Sequence, residues 1–123
     1  MTLSIDVCIN RYLSMPKADS LQGSMDLLVL KVLSRRPRLH GYAIMTAIRE
    51  VSEDVLRVEE GSLYPALHRM EESGWLRAKW VISESGRRMR IYDVTSAGEK
   101  RLAAEESRWK EVTAAVGRVL RMA

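Results

Sequence analysis

The stretch that decides the fold is residues 59–76, EEGSLYPALHRMEESGWL. Its apolar residues recur at the spacing of one helix face, and these are Leu63, Ala66, Leu67 and Met70. Ser62 is a candidate N-cap, because its hydroxyl can accept a backbone N–H of the first turn, and Pro65 is expected within that turn. Gly74 can adopt the left-handed conformation that ends a helix. We predict a short helix whose outer face fits either an ordinary protein surface or a DNA major groove.

Two more helices are predicted before this one. Residues 21–34 are apolar on more than one side, which is typical of a helix that is buried on both sides or contacts another chain. A second helix is expected over residues 39–51, followed by a polar connection in which Val55 and Leu56 return to the core. Three helices with short connections are the plan of a helix-turn-helix domain.

The hydrophobic period changes after the third helix. Residues 75–83 alternate between apolar and polar side chains, which predicts a strand, and residues 88–94 form a second strand after a turn at Gly86. Basic residues concentrate toward the tip of this hairpin. A basic two-stranded ribbon after such a helix is typical of a wing, whose role would be phosphate contact or minor-groove insertion.

A long helix is predicted from Ser96 to about Leu120, with Ser96 and Glu99 as a capping box or Thr95 as an alternative cap. Its apolar positions follow a spacing of three and four, and they are Leu102, Trp109, Val112, Val116, Val119 and Leu120. We expect this seam to pack on the same helix of a second copy, forming a two-fold dimer. The alternative is that the helix folds back on residues 21–33 of its own chain.

These elements divide the chain into three segments. Residues 1–20 are expected to be an irregular or disordered extension, residues 21–94 a winged helix-turn-helix domain, and residues 95–123 a dimerisation helix. The predicted fold class is therefore mainly α with a small β-hairpin. Met15 is a second candidate start, which leaves open whether residues 1–14 belong to the native protein.

Composition limits the function classes. The 123 residues include 20 Lys and Arg against 16 Asp and Glu, and the net charge of +4 tilts mildly toward a nucleic-acid partner. A single cysteine, no secretory signal and no apolar run of the ~20 residues that a membrane span needs indicate a cytoplasmic protein that does not insert in membranes. His40, His68 and Cys8 lack the spacing of metal ligands, and His40 is expected to cap or pack near the second helix. No catalytic constellation is present, so we expect neither an enzyme nor a cofactor.

Several motifs in order resemble the PadR family of bacterial transcriptional regulators. They are LQGSMDLLVL at residues 21–30, HGY at 40–42, EGSLYPALHRME at 60–71, GWL at 74–76 and RRMRIYDVTSAG at 87–98. The resemblance covers residues 21–120 and implies a winged-helix DNA-binding domain with a C-terminal dimerisation helix. It also implies repression that a small aromatic molecule relieves. With one helix after the wing, the chain is similar to the short subfamily.

A DNA-binding role would assign particular contacts to this chain. Ser62, Tyr64 and His68 would reach phosphates or base edges, Pro65 a base or sugar, and Arg69 a phosphate or guanine. Tyr42 would hydrogen-bond a phosphate, and the wing contacts are expected from Arg87, Arg88 and Arg90. Tyr42 and Tyr64 could instead pack partly in the core, and Arg90 could form a structural pair.

The expected partners are a double-stranded DNA operator, a second copy of the chain and a small aromatic effector. The dimer or ligand interface is expected to contain Leu102, Trp109, Val112 and Val116, with Trp109 either as a dimer-core aromatic or as a stacking surface for a flat ligand. The competing interpretation of the whole chain is a winged helix that contacts other proteins and does not bind DNA.

Overall fold

The computed structural model describes the backbone of residues 17–123 and the side chains from residue 24 onward. Helix α1 spans Lys17–Arg35, strand β1 Leu39–His40, α2 Gly41–Val51 and α3 Glu60–Glu72. The hairpin strands follow as β2 (Leu76–Ile82) and β3 (Arg88–Val94), and α4 spans Ser96–Leu120. The predicted fold class, a winged helix-turn-helix with a long C-terminal helix, is confirmed.

The first helix begins earlier than the sequence indicated. It starts at Lys17, so residues 17–20, which were predicted to be irregular, are helical. These four residues include neither glycine nor proline, and therefore nothing in them stops the helix from extending toward the N-terminus. The rest of the predicted extension, residues 1–16 with Cys8 and Met15, lies outside the described residues.

The sheet has one more strand than the predicted hairpin. Its order is β1-β3-β2 with antiparallel pairing, and Leu39 and His40 of β1 pair with Tyr92 and Ile91 of β3. The sequence placed Leu39 and His40 at the start of α2, because two residues are too few to show a strand period. His40 is nevertheless the N-cap of α2, since the Ala43 backbone N–H donates to its Nδ1 at 3.3 Å.

One hydrophobic core joins the four helices described within residues 17–120 to the base of the hairpin. Its fully or nearly buried members are Val29, Leu30, Leu33, Ile44, Ile48, Leu63, Ala66, Leu67, Met70, Leu76, Tyr92 and Leu102. The prediction that Val55 and Leu56 return to the core is wrong, because both are exposed and Val58 packs there instead. Left-handed backbone at Glu53 and Asp54, with φ of 54° and 70°, reverses the chain after α2 and delays its return.

Helix α4 is capped by Thr95, the second of the two predicted caps. The Gly98 backbone N–H donates to Thr95 Oγ1 at 3.0 Å, and Thr95 Oγ1 donates to the Gly74 carbonyl at 2.6 Å. The helix has 25 residues and is therefore about 37 Å long. Its first part packs on α1, where Lys31 Nζ lies 3.1 Å from Glu106 Oε2. None of the helices described in residues 17–123 is long and apolar enough to cross a membrane.

Candidate nucleic-acid interface

Helix α3 separates its residues into a buried and an exposed face, as predicted. Leu63, Ala66, Leu67 and Met70 are buried in the core. The opposite face exposes Ser62, Tyr64, Pro65 and His68 to solvent. The amphipathic spacing alone therefore determined which α3 side chains are accessible to a partner.

The two ends of α3 agree with the prediction to different degrees. The N-cap is Glu59, without a side-chain cap hydrogen bond, so the assignment of Ser62 as N-cap is wrong and Pro65 lies beyond the first turn. The helix extends upstream because Glu60 and Gly61 take helical backbone, and Ser62 and Leu63 donate to the Glu59 carbonyl at 3.0 and 2.9 Å. At the other end, Gly74 has a φ of +83°. The N–H of Trp75 donates to the Met70 carbonyl, which completes the left-handed C-terminal cap that the sequence indicated.

Arg69 is held within the protein by an acidic partner. Its guanidinium donates to the carboxylate of Asp26, which is buried on α1. Burial raises the pKa of the Asp26 carboxyl above its ordinary value of 3.8, and the positive charge of Arg69 opposes that rise. The sequence expectation of a phosphate or guanine contact for Arg69 remains a prediction, since the Asp26 pair engages one nitrogen of a guanidinium that is partly exposed.

The two tyrosines of the candidate interface occupy different positions. Tyr42, the second residue of α2, is exposed. The ring of Tyr64 lies against Gly41, so closely that a Cβ added at Gly41 would lie 2.5 Å from the Tyr64 hydroxyl oxygen. Tyr64 is therefore partly packed and partly exposed, with its orientation fixed by the absence of a side chain at the start of α2.

The arginines of the wing fall into two groups. Arg87 and Arg88 are exposed near the hairpin tip, and neither is paired with a carboxylate among the described residues. Arg90 Nη2 instead donates to Glu71 Oε2 of α3 at 2.9 Å. The structural pair that the sequence left open for Arg90 is thus present, and it ties the wing to α3.

A cavity of about 540 Å³ lies between α3 and the wing. It is lined by His68, Glu71, Glu72, Arg90 and Tyr92. His68 Nε2 lies 3.3 Å from Glu72 Oε2, so both acidic residues at the end of α3 have a basic or ionisable neighbour. Burial raises the pKa of the Tyr92 hydroxyl, which stays neutral beside this ionic group.

The predicted interface residues of α4 also divide into two sets. Leu102 is 5% exposed and belongs to the core of its own chain, so its assignment to a dimer or ligand interface is wrong. Trp109, Val112 and Val116 are 50%, 43% and 50% exposed. The side-chain contacts of α4 with α1, Glu99 with Ser34 and Glu106 with Lys31, lie in the first half of α4, and the exposed set follows them along the helix.

Sequence reasoning missed three residues of this region. Asp26 and Glu71 are the partners of Arg69 and Arg90, but 43 and 19 positions separate them along the chain, and no local pattern reveals such pairs. Trp80 is exposed on the wing beside Arg88 and Arg90. The one available sequence signal for this contact was the position of Trp80 across the predicted hairpin from those arginines.

Comparison with known proteins places more than half of the chain in one family. The family model described as "Transcriptional regulator PadR-like family" matches residues 29–104, more than half of the chain. The chain is 36% identical over 64 residues to transcriptional regulator Rv3488 of Mycobacterium tuberculosis, covering 52% of this chain and 59% of that protein.

Two solved structures extend the similarity to most of the fold. A PadR-like transcriptional regulator of Bacillus cereus has a TM-score of 0.71 at 25% identity, covering 85% of this chain and 99% of its own. A PadR family transcription regulator of Clostridium difficile has a TM-score of 0.67 at 28% identity, covering 78% and 97%. The winged helix-turn-helix, the exposed face of α3 and the matched family model agree, and the chain therefore belongs to the PadR-like family of transcriptional regulators.

Proposed function

We propose that this regulator is a homodimeric repressor that binds a pseudo-palindromic operator through α3 and the wing. The observation that carries the proposal is the exposed face of α3 together with the Arg90–Glu71 ion pair, which ties to α3 the wing that bears the exposed Arg87 and Arg88. The function rests on binding rather than catalysis, and we place it in the cytoplasm, where the chromosome of a bacterium lies.

The outer face of α3 is better suited to contact with base edges than to contact with phosphates. Glu59 and Glu60 stand at its N-terminus, where an anion is normally favoured, and their charges repel a phosphate there. Base-edge contact then falls to Tyr64, Pro65 and His68 farther along the helix. Ser62 lies between the two regions and can donate its hydroxyl to either.

Phosphate contact is assigned to residues around α3. Arg87 and Arg88 at the wing tip and Tyr42 at the start of α2 are exposed donors. Arg69 and Arg90 act indirectly in this proposal, because their ion pairs with Asp26 and Glu71 set the position of α3 and the angle of the wing. The phosphate contacts of Arg87, Arg88 and Tyr42 give DNA affinity that depends on salt. The ion pairs of Arg69 and Arg90 set the geometry in which α3 and the wing meet the DNA.

Dimerisation is assigned to the second half of α4. An exposed row of Trp109, Val112 and Val116 is costly in water, and the same row on a second copy would cover it. We further propose that a flat aromatic effector stacks between the two Trp109 side chains and relieves repression. Tryptophan fluorescence titrated with planar aromatic molecules should saturate, and a linear response to each of them would remove the effector from the proposal.

A gel shift against the DNA upstream of the protein's own gene tests the proposal as a whole. We expect specific binding that survives competitor DNA and weakens steeply as salt rises, because phosphate contacts release counterions. In a reporter assay the same upstream DNA should give less transcript when the protein is present. A chain that contacts only other proteins would give no specific shift at any salt concentration.

A further inference from the structure

Trp80 is an exposed tryptophan on the hairpin, away from the core. It lies on β2, directly opposite Arg90 of β3, and 54% of it is accessible to solvent. Ala78 and Leu76, two and four residues earlier on the same face, pack on the core. The face of the wing that starts in the core therefore continues outward as a solvent-facing surface next to α3.

Two arginines flank the Trp80 ring. The guanidinium carbon of Arg88 lies 4.4 Å from the ring centroid, and that of Arg90 lies 5.2 Å from it. Arg90 also donates to Glu71 of α3, and this ion pair fixes the arginine on one side of the Trp80 ring. Arg88 has the indole as its neighbour and no carboxylate partner among the described residues. The indole thus holds the Arg88 side chain in a defined orientation, and the positive charge of its guanidinium remains unneutralised.

The same face ends in a second exposed apolar residue. Ile82 pairs with Arg88 across the strands and is 68% exposed. An arginine between apolar side chains at the tip of a basic ribbon has the chemistry of a minor-groove element, because the narrow A·T minor groove attracts arginine and accepts apolar contacts with its sugars.

We propose that the surface formed by Trp80, Ile82 and Arg88 contacts the minor groove beside the α3 site, and that Trp80 is the positioning residue for Arg88. The proposal rests on the DNA-binding function proposed above and adds a specificity: the wing favours A·T base pairs at the flank of each half-site. Guanine disfavours this contact because its N2 amino group occupies the minor groove.

The opposite face of the wing supplies a matched control. Lys79 lies next to Trp80 on β2 but points to the other side of the sheet, where it is exposed. Removing its charge alters the wing's total charge as much as removing that of Arg88. A purely electrostatic role for the wing would therefore make Lys79→Gln and Arg88→Gln equivalent.

The test measures binding of the full chain to its operator by fluorescence anisotropy, with the flanks either A·T or G·C. Trp80→Leu and Arg88→Gln should each lower affinity for the A·T form about tenfold and remove the preference for it. The double variant should lose little more than either single variant, because one contact is lost in each case. Trp80→Phe should restore most of the preference, and Lys79→Gln should keep it.

Several results would overturn the inference. Unchanged flank preference in Trp80→Leu, with its circular dichroism spectrum intact, would exclude Trp80 as a positioning residue. Fully additive losses in the double variant would mean that Trp80 and Arg88 act separately. Either result leaves the proposed function standing if the wild-type chain binds its operator, whereas a wild-type chain without specific binding would overturn both proposals.

Discussion

Arg69 on α3 and Asp26 on α1 form an ion pair that joins these two helices of the domain. The carboxylate is almost fully buried, whereas the guanidinium is partly accessible. Glu105 of α4, itself buried between Arg101 and Arg108, adds a negative charge near Asp26. The position of α3 thus depends on a charged contact as well as on its apolar face.

Removing Arg69 should destabilise the protein. Arg69→Met would leave the Asp26 carboxylate buried without its donor, and we expect the free energy of unfolding to fall by about 1–3 kcal/mol. Urea unfolding at constant protein concentration measures the change. The double variant Asp26→Leu/Arg69→Met should recover much of the loss, since neither charge then remains. A single variant as stable as the wild type would show that the pair contributes nothing.

The same carboxyl should make stability depend on pH. Between pH 3.8 and its raised pKa, Asp26 is protonated in the folded chain but ionised in the unfolded one. The free energy of unfolding should therefore fall as pH rises through that interval and stay level above it. The difference between wild type and Asp26→Asn, measured by urea unfolding from pH 3.5 upward, isolates this contribution. A difference that is flat or of opposite slope would contradict the raised pKa.

Gly41 and Tyr64 should behave as a coupled pair. In Gly41→Ala the new methyl group would overlap the Tyr64 hydroxyl and push the ring away, and we expect DNA affinity to fall about five- to tenfold. In a Tyr64→Ala background the same change should cost no further affinity and should stabilise α2 by up to about 1 kcal/mol. Anisotropy and urea unfolding of the four chains measure both effects. Wild-type DNA affinity in Gly41→Ala would mean that the Tyr64 orientation does not matter.

The exposed row on α4 can be tested without disturbing the core. Val112→Asp should raise the dissociation constant of the dimer at least about 100-fold, because two unpaired carboxylates would be buried at the interface. Ala114→Asp carries the same charge on the opposite side of the helix and should leave the dimer intact. Sedimentation equilibrium reports the assembly state. Equal behaviour of the two variants would place the interface elsewhere.

Local patterns were enough to predict most of the fold. The apolar spacing in residues 63–70, the alternation in residues 76–82 and the turn at Gly86 each depend on neighbours in the sequence, and the corresponding elements are present. Errors occurred where a longer-range contact decided the outcome. β1 exists because Leu39 and His40 meet β3, about 50 residues later, and Leu102 is buried because α1 lies beside it.

For the candidate site, the sequence predicted which side chains are exposed but not which partners they bind. The amphipathic pattern correctly predicted that Tyr64, Pro65 and His68 are exposed. It treated Arg69 as a free cation, because the position of a charge on a helix does not reveal a carboxylate on another helix. For Arg90 the sequence could offer two roles, and only the distance to Glu71 distinguishes them.

Hydroxyl-radical footprinting of the full chain on the DNA upstream of its gene tests the central claim most directly. We predict two equivalent protected patches related by a two-fold axis and separated by one or more helical turns of about 10.5 base pairs, because a dimer presents two α3 helices and two wings. Replacing Arg87 and Arg88 with glutamine should weaken protection at the outer edge of each patch. A single unpaired patch would contradict the dimer, and uniform cleavage at saturating protein would contradict DNA binding itself.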